Sequence, residues 1–442
     1  MNLAGARVLI VGFGISGLGA AEALADRGAQ LSLAEDKARL REAASHGEQR
    51  FERSGTIAEL RSEAWDLVVV SPGISPERLG MEPLANRVIG ELELGWLLAD
   101  APVCAITGTN GKTTVATLTQ MMLGSEATLC GNAGVSFAAV ARSGATRYVV
   151  EASSFQLTWA PTFAPASATW TNFTPDHLDW HGTLEAYRLA KAKLFAQLPR
   201  TGVAILNADD PVVAATLLPE GVARRTFSLE GAADYRVAKG NLVGPDGVVM
   251  TSLASLGRGG PISVANALAA WATADAAGAD PERVRAVLEE FRGLEHRQEL
   301  VGEWNGILWV NDSKATTPVA AAAGISSFAH VILIAGGRGK GLSFEPMAAV
   351  ADRVGHCITI GECGPEIGEL FRAHDVPTTM ASSMREAVAL AITKAHTGDV
   401  VLLAPGAASF DWYDSYVVRG LDFKAVVREL APGTTPSTGV SA

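Results

Sequence analysis

Short runs of aliphatic and β-branched residues alternate with alanine- and leucine-rich stretches of helical period along the whole chain. Runs that are apolar at every position belong to strands buried on both faces, and such strands are joined by helices into parallel sheets. The pattern therefore predicts an α/β protein. A strand is predicted over 7–11, a helix over 16–27, and strands over 31–34 and 67–70, the last running into Ser71-Pro72-Gly73. Near residue 91 the pattern restarts with a helix over 91–98, Pro102, a strand over 103–106, a glycine-rich loop and a long helix. Further strands are predicted over 148–150, 168–171 and 203–206. Another restart, near 291–312, brings strands over 308–310, 331–335, 357–360 and 400–403. Three α/β domains are expected, over 1–91, 92–292 and 293–430, with a Pro/Ser/Thr/Gly-rich tail over 431–442.

A chain of 442 residues that is 48% hydrophobic and 19% charged has the apolar material for large cores, which excludes global disorder. Its net charge of −11 offers no global positive field, against general binding of nucleic acid or anionic membranes. Cys104, Cys130, Cys357 and Cys363 form no CxxC pair, so neither a disulfide framework nor a zinc site is expected. The first apolar run is too short for a signal peptide, and no apolar stretch reaches the ~18 residues of a membrane span. A cytoplasmic monomer is the expectation.

Several polar motifs fall at predicted strand ends, where α/β sheets bind ligands. Gly12-Phe13-Gly14-Ile15-Ser16-Gly17 joins the first strand to the first helix, with Glu35 ending the next strand. Alone this predicts a dinucleotide site with Glu35 on a ribose, or a glycine turn that merely packs helix on sheet. Thr107-Gly108-Thr109-Asn110-Gly111-Lys112-Thr113-Thr114 supplies backbone N–H groups and an ammonium for phosphates, and a hydroxyl for magnesium. It is not a full Walker A motif, because Ile106 stands where that pattern has glycine, but an ATP site is expected. Glu151, at a strand end, is placed to hold magnesium or to cap the Ser153-Ser154 turn. Asp176-His177-Leu178-Asp179-Trp180-His181 gathers two acids and two histidines. Beside a phosphate loop this favours magnesium over zinc, with a plain hydrogen-bonded His177 as the other reading. In the next helix Leu184, Tyr187, Leu194 and Leu198 form an apolar stripe that includes Lys191, while Lys193 points to solvent. A lysine on an inner face either snorkels or loses its proton and becomes a nucleophile. Polar loops at 311–317, 336–340 and 405–411 follow three more strands and together suit a small anionic ligand, though all three could be ordinary connections.

In this order the motifs resemble the Mur ligases of bacterial cell-wall synthesis over essentially the whole length. The resemblance rests on TGTNGKTT (107–114), GNAG (131–134), EASSFQL (151–157), TPDHLDWHG (174–182), YRLAKAKLF (187–195) and LNADD (206–210). It extends through ANALAA (265–270), GLEHRQE (293–299), NDSKATT (311–317), GGRGKG (336–341) and the RG of 419–420. GFGISG, SPGIS (71–75), SSFQL, NDSKAT and AASFD (407–411) favour the branch that adds D-glutamate to UDP-N-acetylmuramoyl-L-alanine.

The resemblance implies three α/β domains: an N-terminal Rossmann-like one, a central mostly parallel sheet of P-loop ATPase type and a C-terminal Rossmann-like one. It implies an ATP-dependent amide ligase working through an acyl phosphate, with Lys112, His177 and Lys191 catalytic. The UDP-sugar would lie against Ile15, Ser16, Glu35, Asp36, Lys37, Gly73 and Asn132, and ATP against Gly108–Thr114, Asn266, Arg297 and Asp312. Thr113 and Glu151 would hold one magnesium, and His177 with a carbamylated Lys191 a second. Lys314, Thr316, Lys340, Ser409, Phe410 and Tyr416 would hold the amino acid, two ammonium groups suiting two carboxylates. Two departures stand out. Gly260-Pro261-Ile262-Ser263-Val264-Ala265-Asn266 replaces the usual Gly-x-His-Asn-x-x-Asn, and Ala404-Pro405-Gly406-Ala407-Ala408-Ser409 replaces Ser-Pro-Ala-Cys-Ala-Ser. Another amino acid such as L-glutamate is the alternative substrate. A nicotinamide-dependent oxidoreductase would leave the second glycine loop and Lys191 without a role. A non-enzymatic nucleotide-binding regulator would leave Glu151, His177 and Lys191 without one.

Overall fold

The computed structural model describes residues 3–45, 51–82, 87–132, 135–256, 263–291, 293–339 and 342–431. Lys340, the 260–262 segment and the tail beyond 431 lie outside the described residues.

The strands form three sheets of five, nine and six members. The first runs Arg53–Gly55, Gln30–Ala34, Arg7–Val11, Leu67–Val70, Val88–Gly90, every neighbour parallel. In the second sheet, seven parallel strands include Val103–Thr107, and two antiparallel strands, Asn241–Val243 and Val249–Ser252, extend one edge. In the third, only the edge strand Glu299–Trp304 is antiparallel. The uninterrupted apolar runs are its inner strands: Leu67–Val70, Val103–Thr107 and Val400–Leu403 are buried at every position. The fold is thus mixed α/β with predominantly parallel sheets.

The chain forms two compact units. One runs through Leu256 and resumes over Ser263–Glu289; the other begins at Glu290. The first two sheets share the first unit because they share a core, in which Val8, Ile10 and Leu24 cluster with Leu92, Leu94, Tyr148 and Trp170. Polar clips reinforce this seam. Gly90 N–H donates to Trp159 O (2.7 Å), and Trp159 Nε1–H donates to Ile74 O (2.8 Å). In the second unit, apolar clusters cover both faces of the six-stranded sheet. No described helix is long and apolar enough to cross a membrane.

The helix Leu184–Ala196 departs from the expected pattern at two positions. Tyr187, Lys191 and Leu194 face inward, but Leu184, in the first turn, is 41% exposed. Lys193 is half-buried rather than solvent-facing: its ammonium donates to Thr158 O (3.3 Å), and burial lowers its pKa against the pull of Glu93.

Candidate active site

The strand Val103–Thr107 lies between Arg147–Glu151 and Ser167–Trp170, so its C-terminal end is flanked by two further strand ends. Here the glycine loop turns back into the helix Lys112–Leu123. Gly108 (φ +152°) and Gly111 (φ +83°) hold conformations that L side chains rarely adopt. A Cβ at Gly108 would collide with Thr171 Oγ1, and one at Gly111 with Asn266 Oδ1. The strand end beside it fixes the loop's shape: Thr171 Oγ1 donates to Asn110 O (2.6 Å), and Asn110 N–H donates to Asn172 Oδ1 (2.8 Å). Asn266, near the start of the helix Val264–Ala276, therefore sits against the phosphate-type loop. Lys112 curls over the same loop, its Nζ donating to Gly108 O (3.0 Å) and Thr109 O (2.8 Å).

Lys191 meets this loop from below. It is 1% exposed, its Nζ donates to Gly108 O (2.6 Å) and it lies 4.7 Å from the centre of the Tyr187 ring. Burial drives its pKa well below that of an ordinary lysine, the Lys112 ammonium adds to this, and Asp176 and Glu151 oppose it. Of the two fates open to an inward lysine, snorkelling is thus not the one adopted. Glu151 is buried as well. One carboxylate oxygen accepts from Asn132 Nδ2 (2.7 Å), and Oε2 has no partner among the described residues. Ser153 caps the next helix with Gln156 in a reciprocal box, so Glu151 is not needed as a cap. A lone buried carboxylate oxygen facing a phosphate-type loop fits a hard cation. Among the described residues no group of three or more His, Cys, Asp and Glu side chains is placed to hold a metal. A magnesium ion here would take its other ligands from phosphate oxygens and water. His177 adopts a left-handed conformation (φ 52°), with Nε2 3.4 Å from Asp176 Oδ2 and its ring 4.6 Å from that of Phe155.

In the first sheet Glu35 is turned inward. Its carboxylate accepts from Phe13 N–H (3.0 Å) and Lys37 N–H (2.9 Å), so it holds the glycine turn to the next strand end. Asp36 accepts from Ile57 N–H (3.0 Å) and Arg78 (3.0 Å), which lowers its pKa. Gly17 lets the helix pass against the Gly12 carbonyl, where a Cβ would collide. Gly14 and Gly73, by contrast, face open space, and Ile15 is 76% exposed. The packing does not explain those two glycines, whereas a ligand lying over the turn would.

In the second unit Asp312, at the end of the strand Ile307–Asn311, is buried, and burial raises its pKa to about 7. Gly324 leaves room for it: a Cβ there would lie 2.7 Å from Asp312 Oδ2. Between the ordinary carboxyl pKa and about 7 the unfolded chain has lost a proton that the folded chain keeps, so this group makes stability fall as pH rises through that window. Asp312→Asn is expected to remove that slope, raising the melting temperature at pH 8 relative to wild type.

Lys314 Nζ lies 5.4 Å from the Tyr416 ring, and Ser409 is buried while Phe410 is 62% exposed. Thr316 N–H donates to Lys314 O (2.8 Å). Arg419, to which sequence reasoning gave no role, joins the loops that carry these residues. It is fully buried; Nε donates to Ser313 Oγ (3.0 Å) and the guanidinium to the carbonyls of Ser313 (2.9 Å), Ala407 (3.2 Å), Ala408 (3.3 Å) and Gly336 (3.4 Å). A signal was present: Arg419 shares with Phe423 and Val427 the four-residue spacing of the buried face of the helix Tyr416–Leu430. Of the residues expected to contact ATP, Asn266 shares a unit with the glycine loop, whereas Arg297 and Asp312 belong to the second unit.

Residues 106–274 match the model of the Mur ligase middle domain, and residues 296–407 that of the Mur ligase glutamate ligase domain. The chain is 40% identical to UDP-N-acetylmuramoylalanine–D-glutamate ligase of Frankia casuarinae, with 97% of this chain and 95% of the relative covered. It is 35% identical to the enzyme of the same name from Mycolicibacterium smegmatis, covering 96% and 97%. Among solved structures it resembles a pseudomurein peptide ligase type C from Methanothermus fervidus, with a TM-score of 0.59, 15% identity and coverage of 96% and 99%.

Proposed function

The chain belongs to the Mur ligase family, and from that premise we propose that it joins D-glutamate to UDP-N-acetylmuramoyl-L-alanine at the expense of ATP. The three sheets would then serve one substrate each: nucleotide-sugar over 1–91, ATP over 92–292 and amino acid over 293–430. The convergence of Lys112 and Lys191 on Gly108 O, beside the lone Glu151 oxygen, carries the phosphoryl-transfer reading. The identity of the added amino acid rests on the relatives' name.

A carboxylate is a poor acyl donor, so the alanine carboxylate of the nucleotide-sugar first attacks the γ-phosphate of ATP, releasing ADP. The backbone N–H groups of Gly108–Thr114 and the Lys112 ammonium, freed from Gly108 and Thr109, meet the charge on the transferring group. Thr113 and Glu151 would hold one magnesium ion, and His177 with a carbamylated Lys191 a second. When bound, these ions supply charge neutralisation for the phosphates. The amine of D-glutamate then attacks the acyl phosphate, phosphate leaves, and the amine's proton passes to solvent. Lys314 and Lys340 suit the two carboxylates of the incoming amino acid, with Thr316, Ser409, Phe410 and Tyr416 around it. Asn266 and Arg297 would contact ATP's base and phosphates, and Asp312 its ribose.

Phosphate release from ATP, magnesium and UDP-N-acetylmuramoyl-L-alanine, measured against a panel of amino acids, tests the reading. D-Glutamate is expected to be preferred over L-glutamate by at least about a hundredfold, because the mirror-image substrate cannot present both carboxylates to Lys314 and Lys340 at once. Preference for another amino acid would move the assignment within the family, and no turnover with any would overturn it.

A further inference from the structure

Glu91 opens the helix that leads from the first sheet to the second, and it is 2% exposed. Its Oε1 accepts from Ser136 Oγ–H (2.6 Å) and from Ala138 N–H (2.7 Å), while Oε2 has no partner among the described residues. Burial raises its pKa, against the pull of these hydrogen bonds. Ser136 is no ordinary cap. A Cβ on Gly19 would collide with its hydroxyl, so the helix that carries Ile15 and Ser16 rests on this spot. Val135, next to Ser136, accepts from Gly131 N–H at its carbonyl (3.0 Å). Asn132, next to Gly131, grips Glu151: Asn132 N–H donates to Glu151 O (2.8 Å) and Asn132 Nδ2 to Glu151 Oε1 (2.7 Å).

We propose that Glu91 is a positioning residue for the nucleotide-sugar: through Ser136 and its neighbour Val135, which holds Gly131, it sets the strand end where Asn132 meets Glu151, and the height of the helix bearing Ile15 and Ser16. Glu91 touches no candidate ligand residue itself; it fixes both ends of the surface they form. The kinetic part of this inference rests on the function proposed above, and its structural part does not.

Three variants separate the possibilities: Glu91→Gln keeps a neutral acceptor, Glu91→Leu removes it, and Ser136→Ala removes the intermediary while leaving the linker helix intact. Glu91→Leu is expected to raise KM for UDP-N-acetylmuramoyl-L-alanine about tenfold, the size of a lost buried hydrogen bond, with KM for D-glutamate within about twofold. Glu91→Gln should stay close to wild type, and Ser136→Ala should raise the nucleotide-sugar KM severalfold. Amide hydrogen exchange adds a readout that needs no turnover: Asn132 should lose protection in Glu91→Leu and keep it in Glu91→Gln. Were Glu91→Leu to lower only the melting temperature, leaving KM and Asn132 exchange unchanged, the inference would be overturned. A Gln variant as impaired as the Leu variant would overturn it too. If Glu91→Leu does not fold, unchanged KM and Asn132 exchange in Ser136→Ala decide against it. Loss of Asn132 protection in an enzyme whose wild type turns over no nucleotide-sugar would support the positioning and reject the function instead.

Discussion

Lys191→Ala is expected to cost at least about a hundredfold in kcat, the scale on which removing one preorganised charge from an acyl- or phosphoryl-transfer site is felt. The argument starts from burial. A lysine at 1% exposure beside a second ammonium, Lys112, resists protonation, and the hydrogen bond to Gly108 O needs only one of its hydrogens. A neutral amine so placed can attack carbon dioxide and, losing a proton to solvent, become an anionic carbamate; the proposed carbamate would turn a misplaced cation into a magnesium ligand. Three measurements follow. The Lys191 peptide, kept native in bicarbonate, should gain about 44 Da, one carbon dioxide. Formate or another small acid should restore part of the activity of the alanine variant, by supplying a carboxylate in the vacated space. Lys191→Arg should not be restored, because a guanidinium cannot lose its proton. The pH dependence has a definite sign. The unfolded chain holds a proton on this lysine up to its ordinary pKa and the folded chain does not, so stability rises with pH across the interval between the lowered and the ordinary value. Lys191→Met should abolish that rise. A fully active alanine variant would sink the assigned role.

Lys191 was legible in the sequence because a lone cation interrupts an apolar stripe, and such an interruption is visible without knowing what the stripe packs on. The inner strands were legible for a related reason: Val103–Thr107 and Val400–Leu403 are buried on both faces, and burial on both faces writes an unbroken apolar run. The strands Tyr235–Ala238, Asn241–Val243 and Val249–Ser252 carry no such mark. They extend one edge of their sheet, each has half-buried or exposed positions, and only pairing with distant residues makes them strands. Glu35 shows where a motif says less than the fold. Its place at a strand end pointed to a ligand, and the fold adds a structural task that the motif does not show: one oxygen accepts from Phe13 N–H in the glycine turn and the other from Lys37 N–H. The union of the first two sheets in one unit was equally hidden. It depends on Gly90, Trp159 and Ile74, which lie far apart along the chain and carry no chemistry that a motif would flag.

Arg419→Met is expected to have the other large effect, in the second unit alone. The guanidinium of Arg419 is the shared donor for carbonyls in the loops that carry Lys314 and Thr316 on one side and Ser409 and Phe410 on the other. Removing it takes a donor from each of those buried oxygens, at about 1–3 kcal/mol where no other donor remains; Ala408 O still accepts from Arg338 N–H (2.8 Å). Part of this is offset, because burial of the charge is itself unfavourable and already lowers the arginine's pKa to about 10. The net cost should be about 3 kcal/mol, read as a shift of the denaturation midpoint. The functional consequence should exceed the stability one. With the loops no longer held to a common centre, KM for the amino acid should rise at least about tenfold, while affinity for UDP-N-acetylmuramoyl-L-alanine stays unchanged because its residues belong to the other unit. Arg419→Lys separates charge from geometry. An ammonium keeps the charge but lacks the planar fork that reaches Ser313 and Ala407 together, so it should restore little of the affinity. Full amino-acid affinity in the lysine variant would mean that charge alone orders these loops.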